Sequence, residues 1–169
     1  MISLATPDEV SELTALVNSA YRGEHSRKGW TTEADLFDGA RIDEAAMAAI
    51  FSITSAQVLK YVESKKILGC LRLDRHDDKL YLSMFSVSPL HQAQGIGKKL
   101  MAAAEIEARR QACRAIDMTV ISVRSELIDW YHRRGYRDTG ERRPLIIKDP
   151  NMDVPKKELS FVVLEKSVA

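Results

Sequence analysis

The run Gln92-Ala93-Gln94-Gly95-Ile96-Gly97 sets two glycines one residue apart, directly ahead of Lys98 and Lys99. An apolar run ends at Val87 before it, Pro89 stops that run, and a helical pattern begins at Gly95. A glycine turn between a strand and a helix leaves backbone N–H groups unsatisfied at the positive end of a helix dipole, which makes an anion site. Glycine also lets the backbone approach a phosphate closely. Two nucleotide readings fail. The ATP loop G-x-x-x-x-G-K-[ST] needs wider glycine spacing and a Ser or Thr after the lysine. The dinucleotide fingerprint needs a third glycine where Leu100 stands, and an acid at the end of the next strand. Lys98 adds positive charge to the turn, unless Lys98 and Lys99 only solvate a helix face.

A second segment, Trp130-Tyr131-His132-Arg133-Arg134-Gly135-Tyr136, puts a tyrosine on a helix shortly before a Gly-aromatic pair. Together with Gln92-x-x-Gly95-x-Gly97 it resembles the GNAT superfamily of N-acetyltransferases. The likeness covers nearly the whole chain in order of elements, and at residue level it is confined to residues 85–101 and 120–140. It implies acetyl-CoA as acetyl donor, with the backbone N–H groups of Gln92, Ala93, Gln94, Gly95, Ile96 and Gly97 around its pyrophosphate and Lys98 beside them. It also implies that the backbone of Phe85, Ser86 and Val87 pairs with the pantetheine arm. Tyr131 falls where relatives carry the general acid that protonates the departing thiolate, although an aromatic at helical spacing can equally be core. Tyr131→Phe is then expected to cut turnover more than it raises the KM for acetyl-CoA.

Two positions depart from the pattern. Arg124 stands where many relatives carry a cofactor-contacting Asn; it could reach phosphate, a substrate carboxylate, or only a surface ion pair. Tyr81 occupies the strand position where some members carry a catalytic glutamate, so deprotonation would go through ordered water, or the amine would arrive neutral. On the acceptor side the segment from Ser26 to Arg41 contains Trp30, Thr31, Thr32, Glu33 and Arg41. Trp30 could wall the pocket and Glu33 orient an amine, or Glu33 could cap a helical stretch with Thr31 or Thr32 while Trp30 packs on the sheet. Arg72, Ser83 and Ser122 fall on the cleft side by strand alternation.

Positioning these groups requires strands and helices in the order βααβββαβαβ, an α+β single domain spanning residues 1–169. The expected GNAT fold is a mixed, mostly antiparallel twisted sheet of about six to seven strands flanked by about four helices. Thr6, Pro7 and Glu9 open a first helix that ends near Gly23, and Asp43 caps a second. Residues 56–63, 66–74 and 80–87 alternate as a meander. The helix from Gly95 to Gln111 carries Leu100, Met101, Ala104 and Ile106 on its apolar side. A strand at 115–123, a helix ended by Gly135, an exit loop at 136–141 and a final strand at 157–166 follow, with a short strand at Leu145 to Lys148.

The bulk properties narrow the function classes. The 169 residues are 45% hydrophobic and 29% charged, which fits one globular domain with a buried core. A formal net charge of +1 gives no reason to expect nucleic acid or an anionic membrane as partner. Cys70 and Cys113 lie far apart in apolar or helical context and read as reduced thiols of a cytoplasmic protein. His25, His76, His91 and His132 are scattered without metal spacing, so no metal is expected. The family implies an N-acetyltransferase (acyltransferase) acting on a small-molecule amine; the alternatives are an acyl-CoA sensor with little catalysis and a protein N-acetyltransferase. Relatives dimerise, and the final strand could serve a homodimer here.

Overall fold

The computed structural model describes residues 1–22, 26–146, 152 and 154–169. Gly23, His25 and the distal part of the segment expected as a strand at Leu145 to Lys148 lie outside the described residues; Leu145 and Ile146 themselves are not in a strand.

Seven strands form one sheet in the order β1-β3-β4-β5-β6-β9-β7. They are β1 (Ile2–Leu4), β3 (Ala56–Glu63), β4 (Lys66–His76), β5 (Lys79–Val87), β6 (Ala115–Ile121), β7 (Arg137–Pro144) and β9 (Ser160–Ser167). A separate pair joins β2 (Phe37–Asp38) to β8 (Val154–Pro155). All neighbours in the main sheet run antiparallel except β5 and β6. The described helices are α1 (Val10–Tyr21), α2 (Glu44–Ile50), α3 (Ile96–Arg110) and α4 (Ser125–His132). This is the expected α+β GNAT architecture.

Two apolar layers sandwich the sheet. Leu13, Leu16 and Val17 of α1 pack with Met47 and Ile50 of α2 over Val58, Ile67, Cys70 and Met84. On the other face Ile96, Leu100, Met101, Ala104 and Ala108 of α3 cover Leu71, Leu73, Leu80 and Ile116. These α3 positions recur at three- and four-residue spacing, so they form one stripe. Ile106, expected on that stripe, is 64% exposed: two residues from Ala104 it lies about 200° around the helix. Cys70 and Cys113 are free and buried.

Three local devices set up the ends that matter. Asp43 caps α2 by accepting from the Ala46 N–H at 2.7 Å. Glu9 accepts from the Thr6 N–H at 2.9 Å, but Pro7–Glu9 is a 3₁₀ turn leading into α1 rather than its first α-helical turn. Gly135, with φ +95°, ends the turn after α4.

The segment expected as an exit loop at 136–141 is largely strand β7. It pairs with β9 from Arg137↔Glu165 to Pro144↔Ser160, with a bulge between Asp138 and Arg142 around Gly140 at φ +86°. Every residue of β7 is exposed, so it shows no apolar alternation. An edge strand protected by charge and a bulge hides in this way. The last strand begins at Ser160 rather than at 157.

Candidate active site

Two parallel strands that part company make the site. β5 and β6 pair only over Lys79–Tyr81 and Ala115–Asp117, at one end of each strand. Beyond that point Leu82–Val87 and Met118–Ile121 diverge, and a wedge opens between them. β5 also kinks within the wedge. The step from Cys70 to Arg72 on β4 faces the step from Ser86 to Ser83, so β5 carries an extra residue, and Met84 takes φ +55°. A bulge with a non-glycine residue in the left-handed region re-aims the strand and is kept where the surroundings enforce it.

Two clefts meet across the wedge. One of about 360 Å³ lies toward the α3 N-terminus and α4, and one of about 600 Å³ lies on the α1 and α2 face. Tyr21, Phe85, Arg124, Leu127 and Tyr131 line both. The first cleft has the features of an anion site. Gly95 precedes α3 with φ +83°, Ala93 has φ +64°, and buried Ile96 anchors the turn in the core. Lys99 donates to Gly95 O at 3.1 Å, which leaves the N–H groups at 96–98 without intrahelical acceptors. A Cβ at Gly97 would stand 3.1 Å from Phe85 Cζ and 3.5 Å from Trp130, so a side chain there would press on the strand and α4 residues packed against the turn. Lys98, Arg133 and Arg134 bring positive charge to the same cleft. The Arg134 guanidinium lies 3.4 Å over the Trp130 ring, and its Nη1 donates to Trp130 O at 2.8 Å.

The Gln92 side chain ties two parts of the chain together. Its Nε2 donates to Val87 O at 3.1 Å and its Oε1 accepts from the Trp30 N–H at 2.5 Å. A Cβ at Gly29 would meet that Oε1 at 2.6 Å, so the loop at 29–30 closes onto Gln92 because residue 29 lacks a side chain. Trp30 and Thr31, expected to contact the acceptor, line the first cleft and not the second, and Trp30 is half exposed.

Tyr131 is 4% exposed, ringed by Phe85, Trp130 and Tyr136 at centroid distances of 6.4, 5.3 and 5.8 Å. Burial, and then the neighbouring Tyr21 phenol, push its pKa well above the ordinary 10.0. Tyr21 donates its hydroxyl to Phe85 O at 2.7 Å, and burial, then the charge of Glu33, raise its pKa to about 12. Both phenols are therefore protonated at neutral pH.

A buried ion cluster forms one wall of the second cleft. Glu33 Oε1 accepts from Arg22 Nη2 at 2.9 Å, and Oε2 accepts from Arg124 Nη1 at 2.9 Å. Side-chain exposure of the three is 6–8%. Arg124 Nη2 also donates to Thr31 Oγ1 at 2.5 Å. Glu33 thus has both oxygens engaged by guanidinium groups. Tyr81 lines the second cleft, its hydroxyl 2.7 Å from Thr119 Oγ1, a link across the diverging strands. Arg72, ion-paired with Asp74 at 2.7 Å, and Ser83 line it too.

The structure brings most of the expected residues together. Phe85, Ser86, Val87, Gln92, Ala93, Gly95, Ile96, Gly97, Lys98, Arg124 and Tyr131 share the first cleft. Gln94 and Ser122 line neither cleft; Gln94 is exposed and Ser122 lies at hydroxyl distance from Ser160, 3.2 Å away. Sequence reading missed Tyr21, Arg22 and Trp130 as wall residues. Tyr21 sits at an apolar helical position and reads as core; only the tertiary contact with Phe85 O reveals it.

No group of three or more potential metal ligands is gathered among the described residues, and no described helix is long and apolar enough to cross a membrane. A family model for an acetyltransferase (GNAT) domain matches residues 20–144. Among solved structures, the ribosomal-protein-S18-alanine N-acetyltransferase from Escherichia coli aligns with TM-score 0.75 at 12% identity, covering 100% of this chain and 94% of that one. The ribosomal-protein-alanine N-acetyltransferase from Brucella melitensis aligns with TM-score 0.72 at 15% identity over 99% of each chain. The protein yncA from Salmonella typhimurium, solved with its cofactor acetyl-CoA, aligns with TM-score 0.71 at 19% identity over 100% and 94%.

Proposed function

The chain belongs to the GNAT acetyltransferases, and from that premise we propose that it transfers the acetyl group of acetyl-CoA to the primary amine of a small molecule, with Tyr131 as general acid. The observation that carries this reading is the position of Tyr131: a buried, protonated phenol on the wall shared by donor and acceptor clefts.

The donor supplies an acetyl thioester, a carbonyl already activated toward an amine. Around it, the free N–H groups at 96–98 and the charges of Lys98, Arg133 and Arg134 suit a pyrophosphate. The stretch of β5 from Leu82 to Val87, paired with β4 but not with β6, suits an extended arm that carries amides. In the reaction the nitrogen–carbon bond forms, the carbon–sulfur bond breaks, and Tyr131 gives its proton to the departing sulfur before regaining one from solvent. Glu33 is not the base, because both its oxygens are occupied by Arg22 and Arg124. The amine loses its proton to water near the Tyr81–Thr119 hydroxyl pair.

A small acceptor is our reading because the Ser26–Phe37 segment is tied to Gln92, to Arg124 and, through β2, to β8, which sets it beside the junction of the two clefts. The test is release of free coenzyme A thiol from acetyl-CoA across a panel of small amines, with alanine-initiated peptides beside them. Turnover on small amines is expected. Turnover confined to the peptides would make it a protein acetyltransferase, and acetyl-CoA binding without turnover on any amine would make it a sensor.

A further inference from the structure

Tyr81 and Thr119 join their hydroxyls at 2.7 Å on the wall of the second cleft, where β5 and β6 part. Asp117 shares their face of the sheet. It stands in register beside Tyr81 in the parallel pair and two residues before Thr119 on β6, so strand alternation points all three side chains the same way. Neighbouring strands lie about 4.8 Å apart, and residues two apart on one strand about 6.6 Å. One water can join a carboxylate and a hydroxyl pair at that spacing, which is the reach of proton transfer.

The surroundings of Asp117 leave it uncommitted. Its Oδ1 is buried with no hydrogen-bond partner among the described residues. Charged and titratable groups face it from four strands: His76 of β4, Lys79 of β5, Glu165 of β9 and Arg143 of β7. Asp74 of β4, in register with Tyr81, is held by Arg72 at 2.7 Å. Lys79 holds Glu165 at 2.6 Å and Arg143 holds Glu141 at 2.6 Å, so the nearby cations are engaged elsewhere. A buried carboxylate oxygen without a donor is costly and calls for a reason. Burial raises the Asp117 pKa above the ordinary 3.8, with Lys79 pulling the other way. Such a carboxylate takes a proton more readily than one on the surface.

Resting on the acetyltransferase reading, we propose that Asp117 is the terminal acceptor of the amine's proton, reached through the Tyr81–Thr119 hydroxyl pair. Asp117 lines neither cleft, so it touches no substrate and serves as a positioning residue at the end of the relay. A bound ammonium carries two protons more than the amide product. One passes through the hydroxyl pair to Asp117 and frees the nitrogen lone pair; each hydroxyl gives one proton and takes one. The second leaves to solvent as the nitrogen–carbon bond forms and the carbon–sulfur bond breaks. Tyr131 protonates the sulfur and regains a proton from solvent, and Asp117, which is partly exposed, releases its own. The sum is one proton released per turnover. Deprotonation thus has a carboxylate although residue 81 is a tyrosine and Glu33 is occupied by Arg22 and Arg124.

The test follows kcat against pH on the full chain with saturating acetyl-CoA. Its acceptors are phenethylamine and L-phenylalaninamide, which have similar shape, the second being much less basic. Wild type is expected to hold kcat for phenethylamine nearly level between about pH 6.5 and about pH 9, because Asp117 takes the proton. In Asp117→Asn that kcat is expected to fall at least roughly tenfold at about pH 7 and to climb with pH until the deficit closes. The loss with L-phenylalaninamide is expected to be several-fold smaller, since its amine needs less help. A merely structural aspartate would lower both acceptors alike at every pH. Tyr81→Phe removes the hydroxyl link and is expected to repeat the pattern, which keeps the test open if Asp117→Asn does not fold. A wild-type kcat that climbs about tenfold per pH unit, a variant profile of unchanged shape, or no coenzyme A release with either amine overturns the proposal. In that last case turnover elsewhere in the amine panel keeps the acetyltransferase reading, and silence across the whole panel removes both.

Discussion

In the proposed reaction Tyr131 is the general acid, and its surroundings hold its proton. An ordinary phenol would begin to ionise near pH 10, whereas burial beside Phe85, Trp130 and Tyr136 moves Tyr131 well above that. Tyr131→Phe removes one oxygen and keeps the ring packing. We expect kcat to fall by about a hundredfold or more, the usual weight of a placed general acid, while the KM for acetyl-CoA moves little. The wild-type rate should show no alkaline decline from this phenol near pH 10. A kcat within about threefold of wild type would remove Tyr131 from the proton path. The residue was legible in the sequence from its place in the Trp130–Tyr136 segment. Tyr21 was not, because an aromatic on the buried stripe of α1 looks the same whether or not its hydroxyl reaches Phe85 O.

At the scale of elements, the Ser26–Phe37 segment is the piece that closes the site. Its anchor is Glu33 between Arg22 at the end of α1 and Arg124 at the start of α4. Glu33→Gln keeps the shape and removes the charge, leaving two buried guanidiniums facing a neutral amide. Breaking one side of a buried ion cluster costs about 3–5 kcal/mol. A fall in unfolding free energy of that order is therefore expected, read from urea midpoints at unchanged slope; a change below about 1 kcal/mol would mean that water already solvates the cluster. The sequence reading put the segment's Trp30, Thr31 and Glu33 together on the acceptor side; Glu33 lines the second cleft, while Trp30 and Thr31 line the first, where Gly29 lets the loop approach Gln92. β7 was unreadable for a different reason. A wholly exposed, charged edge strand carries no apolar period.

For the molecule as a whole, the meander, the α3 stripe and the β6–α4 unit were readable because each buries a periodic apolar face. The divergence of β5 from β6 was not, since it depends on which residues find parallel partners and which do not. The core so built also fixes a pH response. Burial raises Cys70 from the ordinary 9.0 to about 12 and Tyr21 from 10.0 to about 12. The folded state therefore binds these protons more tightly than the unfolded chain. Below about pH 8 both states are protonated and the contribution is constant; as pH rises toward 12 the unfolded state ionises first and stability is lost. Thermal unfolding should show a Tm independent of these groups up to about pH 8 and falling above it, with a shallower fall above about pH 10 in Tyr21→Phe. An identical slope in that variant would mean that Tyr21 is hydrated in the native protein.

The proposed donor cleft carries its own reporter. Both tryptophans of the chain, Trp30 and Trp130, line that cleft. Titration of the intrinsic tryptophan fluorescence with acetyl-CoA should give a saturable, one-site change. A Trp30→Phe variant should keep the part that arises from Trp130 beside Arg134 and Gly97. A spectrum unmoved by saturating acetyl-CoA, with no heat of binding on the same sample, would contradict the assignment of the wedge between β5 and β6 as the donor site.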